Sequence, residues 1–230
     1  MKTIGLIGGM SWESTVTYYQ LVNETVKKEL GGLHSAKLLL YSVDFAEIEE
    51  CQEKGEWDKS AQILTAAAKN LEKAGADFIV ICTNTMHKVA PEMQKQIDIP
   101  IIHIADATAD ALSAAAVDKV ALLGTKYTMT QDFYKERLIA RGIAVIIPDE
   151  ADVELVNNVI YDELCLGVIS DTSREQYRQI IEKMAQKGAK GVILGCTEIG
   201  LLIHQKDSVL PVFDTTQIHA NKAAMLAIGK

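Results

Sequence analysis

Eight short apolar runs, set apart by longer amphipathic stretches, constrain this chain more than any other feature of its sequence. They read TIGLIG, KLLLYSV, DFIVI, IPIIHI, KVALLG, AVIIP, KGVILG and LPVF. Each is brief and almost continuously apolar, as strands buried on both faces by helices must be. Between them, STVTYYQLVNETVKKEL, KSAQILTAAAKNLEKA and SREQYRQIIEKMAQK carry the helical period. The alternation predicts an α/β protein built on mostly parallel sheet. Such folds place ligands at the carboxyl ends of their strands.

The chain also matches itself. GADFIVICTNT from Gly75 aligns without a gap on GAKGVILGCTE from Gly188, and TIGLIGG from Thr3 matches KVALLGT from Lys119. The same order in both halves predicts a duplication: two similar α/β/α lobes with parallel four-stranded sheets related by a pseudo-twofold. The alignment sets Cys196 opposite Thr83, and Gly195 opposite Cys82. One residue further along a strand end, a side chain points in a different direction. Thr83 and Cys196 are therefore expected to face a ligand, and Cys82 to sit inside its own lobe as a small hydrophobe.

Composition narrows the classes of function. A formal charge of −8 argues against a nucleic-acid surface and against polybasic attachment to a membrane. No apolar run reaches the roughly 20 residues that cross a bilayer, and the apolar stretch after Met1 is too short for a signal-peptide core. The expectation is a cytoplasmic protein with neither nucleic acid nor membrane as partner. Four widely spaced cysteines are expected as free thiols there. No Cys or His pair has metal-site spacing, so no metal is expected.

Four motifs in order, GLIGGMSWEST, CTNTMH, ALLGT and GCTEI, carry a resemblance over essentially the whole chain. The sequence resembles the pyridoxal-phosphate-independent aspartate/glutamate racemases. The wording GGMSWEST, VDF, CTNTMHK and ELCLG is similar to the enterobacterial L-aspartate/glutamate-specific members with a threonine/cysteine pair. The resemblance implies an active site in the cleft between two lobes. Lobe one would be residues 1–103 with 210–230, carrying Thr83; lobe two would be 104–209, carrying Cys196. It implies no cofactor, a small amino-acid substrate and a homodimer. It also implies a two-base mechanism, with one group on each face of the substrate α-carbon. The second-lobe group would take the proton of the L-enantiomer. A thiol suits that task, because modest electrostatic help yields a thiolate near neutrality.

Two departures from the family pattern shape the expectation. The usual first cysteine is Thr83 here, a hydroxyl that is a poor base, so the reaction is expected to favour L to D. The basic residues that archaeal members aim at the substrate side chain correspond to Ile48 and Cys165, neither of them basic. The substrate side chain would then be held by hydroxyls, amides and backbone N–H groups, which widens the expected substrate range.

The remaining candidates follow from position. Met10 and Ser11 end a Gly-Gly turn whose N–H groups could hold a carboxylate, and Thr125, Tyr127 and Thr128 follow the matching strand of the second half. Asn84 and Thr85 adjoin Thr83. Thr197 and Glu198 adjoin Cys196, with Glu198 expected at the substrate ammonium, and Gln52 is expected in a loop over the substrate. As the bland alternative, Ser and Thr at helix starts are N-caps. His87 is expected on a helix surface, His103 in the core, and Trp12 and Trp57 as packing residues. Beside an aspartate/glutamate racemase stand a broad-specificity racemase of neutral amino acids, a one-cysteine decarboxylase or isomerase, and a non-catalytic amino-acid sensor.

Overall fold

The computed structural model describes residues 1–230. The chain divides into one unit of Met1–Ile104 with His219–Lys230, and another of Ala105–Ile218. The first holds β1 (Ile4–Gly8), α1 (Trp12–Leu30), β2 (Leu38–Ser42), α2 (Phe45–Glu53), α3 (Trp57–Lys73), β3 (Phe78–Ile81) and α4 (Ala90–Gln94). The second opens in α5 (Ile104–Ala114). It continues through β4 (Lys119–Gly124), α6 (Lys126–Thr130), α7 (Asp132–Ile139), β5 (Ala144–Ile146), α8 (Glu150–Asp162), α9 (Asp171–Gln186), β6 (Gly191–Gly195), α10 (Ile199–Leu202) and β7 (Val212–Asp214). It ends within α11 (Thr215–Ile228), whose later turns belong to the first unit.

Both sheets are parallel, in the orders β2-β1-β3 and β5-β4-β6-β7. The second sheet repeats the order of the first and adds a strand. The expected fourth strand, IPIIHI, contributes a single bridge between Ile79 and Ile101. Ile79 N–H reaches Pro100 O at 2.8 Å and Ile102 N–H reaches Ile79 O at 2.9 Å. Pairing stops there because the next two groups of the ladder are taken, Ile102 O by His219 Nε2 at 2.7 Å and Ile104 N–H by His87 Nε2 at 3.2 Å, and α5 already begins at Ile104. The first sheet is therefore three-stranded.

The C-terminal strand also departs from expectation. β7 pairs with β6 from Val192–Val212 to Leu194–Asp214. Thr215 Oγ1–H extends the junction by donating to Leu194 O at 2.7 Å. Residues 210–218 thus stay with the second unit, and the divisions fall at 104/105 and 218/219.

Burial separates central from edge strands except at β3, which is buried although it ends the first sheet. β1, β3 and β6 are buried throughout, and β4 is buried from Val120 on. β2, β5 and β7 are only partly covered, as strands with one free side should be. In the first unit the period-two alternation sorts the core into two layers. Ile7, Ile79 and Ile81 pack with residues of α2, α3 and α4. Ile4, Leu6, Phe78, Val80 and Cys82 pack with Tyr18, Val22 and Val26 of α1 and with Ala220, Ala223 and Ala224 of α11.

His219 anchors α11 in that second layer. Its Nε2 lies 2.7 Å from Ile102 O and its Nδ1 2.9 Å from Tyr18 Oη. Burial holds its imidazole down at about 4. An unfolded-state histidine titrates near 6.5, so this stability is complete above that pH and is lost as pH falls toward 4. Denaturant unfolding at pH 7 and pH 4.5 should differ by about 2 kcal/mol on this account. His219→Gln should flatten that part of the difference, and an unchanged slope would refute the assignment.

Candidate active site

In the first unit the site is built where β1 and β3 end. After Gly8 the backbone turns through Gly9 at φ +90°, where a Cβ would lie 2.2 Å from Val43 O, so only glycine fits. Gly9 N–H donates to Thr15 Oγ1 at 2.9 Å, and that hydroxyl donates to Ser11 O at 2.8 Å. Ser11 Oγ accepts from Ser14 N–H at the start of α1. The N-cap role weighed for Ser11 is therefore realised, and one of the turn's N–H groups is already spent. Met10 sends its side chain into the core with Ile48 and Met86. Any role for Met10 at a ligand is therefore a backbone one, and Ile48 does not reach out as a side-chain selector.

β3 runs into Cys82, Thr83 and Asn84, followed by a 3₁₀ turn at Thr85–Val89. Cys82 continues the alternation of Phe78 and Val80 and lies fully buried against α1 and α11. Burial pushes its thiol far up, away from reactivity. Thr83, one step on, retains 9% exposure. Asn84 and Thr85 are buried beside it. His87 is not on a surface: it is 1% exposed, with Nδ1 2.8 Å from Thr83 O. It lies inside because the turn folds it back over the strand end.

Gln52 belongs to α2, not to a loop, and its Nε2 lies 3.1 Å from Met86 Sδ in the buried interior. Trp12 is 65% exposed and so does little packing. Trp57 packs against the core, and its ring is covered by Lys88 Nζ at 3.7 Å from the centroid. His103 is buried, as expected.

The second unit repeats the arrangement where β4 and β6 end. Gly124 and Gly195 face each other in register, and a Cβ on Gly124 would come within 2.7 Å of Gly195 O. Thr125 caps α6 by accepting from Thr128 N–H at 3.3 Å, and the two hydroxyls lie 3.1 Å apart. Tyr127, the next residue but one, is half-buried. Asp214 Oδ1 accepts from the N–H groups of Thr216 and Gln217 at the start of α11. Burial pushes the Asp214 carboxyl above its usual range.

β6 delivers Cys196, Thr197 and Glu198 in a single turn. Cys196 Sγ donates to Glu198 Oε2 at 2.9 Å, and Thr197 Oγ1 donates to the same oxygen at 2.9 Å. Glu198 thus holds the thiol and the hydroxyl together while itself 2% exposed. Burial first, then the Glu198 charge and the nearby Cys165, push the Cys196 thiol well above its usual range. These surroundings keep Cys196 protonated, which corrects the expectation of ready thiolate formation near neutrality. A buried thiol bonded to a carboxylate is a poised proton donor, and becomes a base only once that proton moves. Tyr177 donates to Val156 O at 3.0 Å.

No group of three or more His, Cys, Asp or Glu side chains is placed to hold a metal ion, and no helix is long and apolar enough to cross a membrane. His219 matters to the frame of the first unit through bonds to Ile102 and Tyr18, residues far away in the chain, which nothing in its local sequence marks.

The family model described as Asp/Glu/hydantoin racemase matches residues 7–223. A Yersinia pestis chain solved as a candidate Asp/Glu racemase is 57% identical, with 99% of this chain and 100% of that one covered and a TM-score of 0.92. An aspartate racemase homologue from Pyrococcus horikoshii OT3 is 39% identical over the same shares, with a TM-score of 0.86. The broad specificity amino-acid racemase RacX of Bacillus subtilis (strain 168) is 25% identical over 93% of this chain and 92% of its own.

Proposed function

Because the chain belongs to the Asp/Glu/hydantoin racemase family, and with it to the isomerases, we propose that it interconverts L- and D-aspartate or glutamate without a cofactor. Proton transfer at the α-carbon would run through Cys196 on one face and Thr83 on the other, more readily from L to D. The observation that supports it best is the Cys196–Glu198 hydrogen bond of 2.9 Å at the end of a buried strand.

The proton inventory is short. The Cys196 thiol proton moves along its hydrogen bond to Glu198 Oε2, leaving a thiolate. The substrate ammonium, a nearby cation, makes that thiolate less costly. The thiolate takes the α-proton of the L-enantiomer, and the Thr83 hydroxyl delivers a proton to the opposite face. The resulting alkoxide takes a proton from water, and Glu198 gives the proton it holds to the hydroxide so formed, which restores both groups. Ser11, Thr125, Thr128, Asn84, Thr85 and Thr197, with backbone N–H groups near Met10, are the proposed donors to the substrate carboxylates. Gln52 and Tyr127 have the weaker claims. A cytoplasmic homodimer is the working expectation for the assembly.

A second reading has its own support. Ile48 is in the core and Cys165 carries no positive charge, so neither position offers a salt bridge to an acidic side chain. The Bacillus relative is named for broad specificity. A racemase of neutral amino acids is therefore the alternative. Incubation in D2O with a panel of L- and D-amino acids, followed by chiral chromatography and mass spectrometry, separates the readings. Deuterium at the α-carbon of aspartate or glutamate supports the first. Faster labelling of neutral amino acids supports the second, and no labelling of any amino acid overturns both.

Glu198→Gln tests the carboxylate's role. Without the charge, the thiol should titrate lower and react faster with iodoacetamide near pH 8. Turnover should fall roughly tenfold, as for a lost charged hydrogen bond of about 1.5 kcal/mol. Slower alkylation together with unchanged turnover would contradict this role.

A further inference from the structure

Three histidines gather in the first unit behind Thr83. The rings of His87 and His103 lie 4.5 Å apart between centroids, and His219 lies 5.6 Å from His87. Hydrogen bonds fix the tautomers of two of them. The Thr83 carbonyl can only accept, so His87 Nδ1, 2.8 Å away, carries the proton. Its Nε2 then accepts from Ile104 N–H at 3.2 Å. By the same reasoning His219 donates from Nε2 to Ile102 O and accepts at Nδ1 from the Tyr18 hydroxyl.

These bonds act on one short piece of backbone. Cys82 N–H to Ile7 O, 2.9 Å, is the last bond that ties this strand end to β1. Thr83 lies beyond it, where the sheet no longer sets the direction of the peptide. His87 closes the turn from both sides: its own N–H reaches Asn84 O at 3.1 Å, and its ring reaches Thr83 O. The ring in turn is held by Ile104 N–H, two residues after the carbonyl that His219 holds. A proton donor as weak as a hydroxyl loses rate steeply when its direction drifts.

We propose that His87 is the positioning residue of the Thr83 half-site: its Nδ1–H fixes the peptide that follows Thr83 and so aims the Thr83 hydroxyl at the substrate. This rests on the reading that Thr83 serves one face of the α-carbon. The two nitrogens can be tested separately. Asn at this position carries a donor near the place of Nδ1, whereas Gln reaches the place of Nε2 and leaves Thr83 O without its donor.

The experiment uses the full chain in D2O with L-aspartate, and with L-alanine in parallel. Two products are read: L-enantiomer that has gained deuterium, and D-enantiomer. The first needs only the Cys196 face, the second also needs Thr83. His87→Gln should lower inversion about tenfold relative to exchange with retention, through kcat rather than KM. His87→Asn should stay within about threefold of the wild type. Should His87→Gln not fold, His87→Ser, which reaches neither partner, is read the same way. A proportional fall of both products in these variants would mean a merely structural role and overturns the proposal. Thr83→Ala separates the two layers of the argument. If it lowers the ratio while His87→Gln does not, His87 alone loses its role. If Thr83→Ala keeps the wild-type ratio, the Thr83 reading fails and takes the proposal with it.

Discussion

Cys196→Ser should abolish exchange of the substrate α-proton, by about 10³-fold or more, and leave the fold intact. Serine keeps a donor within reach of Glu198 Oε2, so the hydrogen bond at the end of β6 survives in kind. What is lost is acidity: a hydroxyl cannot give up its proton to Glu198 and return as a base as a thiol can. Cys82→Ser is the control in the opposite sense. Cys82 has Val80 O 3.9 Å away and is otherwise walled in by apolar side chains. A buried hydroxyl there should cost about 1–2 kcal/mol of stability and little activity. Rates of α-deuteration, with thermal melts of both variants, make the comparison. An active Cys196→Ser beside a dead Cys82→Ser would show that the wrong cysteine had been chosen.

That choice was legible in the sequence because it depends on period alone. Phe78, Val80 and Cys82 alternate toward one layer, and no tertiary detail is needed to put Thr83 elsewhere. The central strands were legible for the same reason, since burial on both faces leaves an unbroken apolar run. IPIIHI has the same wording yet pairs through a single bridge, because two histidine side chains, His219 and His87, take Ile102 O and Ile104 N–H first. Competition of that sort is set by packing and has no signature in the run itself. The placement of β7 was decided by its ladder to β6, and a sequence pattern does not say which of two similar sheets a short strand will join.

The candidate site divides along the same line. Residue types at strand ends could be read directly, and Ser11 and Thr125 are the N-caps that their position suggests. Electrostatics could not be read. Glu198 is expected at a substrate cation, and no residue type announces that its Oε2 also accepts from its own neighbours, Cys196 and Thr197. His87 is expected on a helix surface, but the whole turn from Thr85 to Val89 is buried apart from Lys88, and the ring bonds to Thr83 O and Ile104 N–H.

Thr83→Cys should raise turnover of the D-enantiomer by about 10²-fold. In the proposed reaction the two faces are unequal. Removal of the L-proton falls to a thiol with a carboxylate to take its proton. Removal of the D-proton falls to a threonine hydroxyl, which can hand on a proton but is badly suited to taking one. Free L- and D-amino acids must still reach equal concentrations at equilibrium, so kcat/KM is the same in both directions and the bias toward D shows only in kcat, at saturating substrate. A thiol at position 83 supplies the missing acidity. It would lie one residue beyond Cys82, in a position with some exposure and with His87 still bonded to its carbonyl. A thiol is close in size to the threonine side chain it replaces, so the turn should hold. The measurement is the initial rate from each enantiomer of aspartate and of glutamate, in wild type and variant. Equal initial rates at saturating L and saturating D in the wild type would sink the idea of a weak face. A biased wild type that Thr83→Cys leaves just as biased would show instead that the bias arises in substrate binding, with the acid/base groups on the two faces already matched.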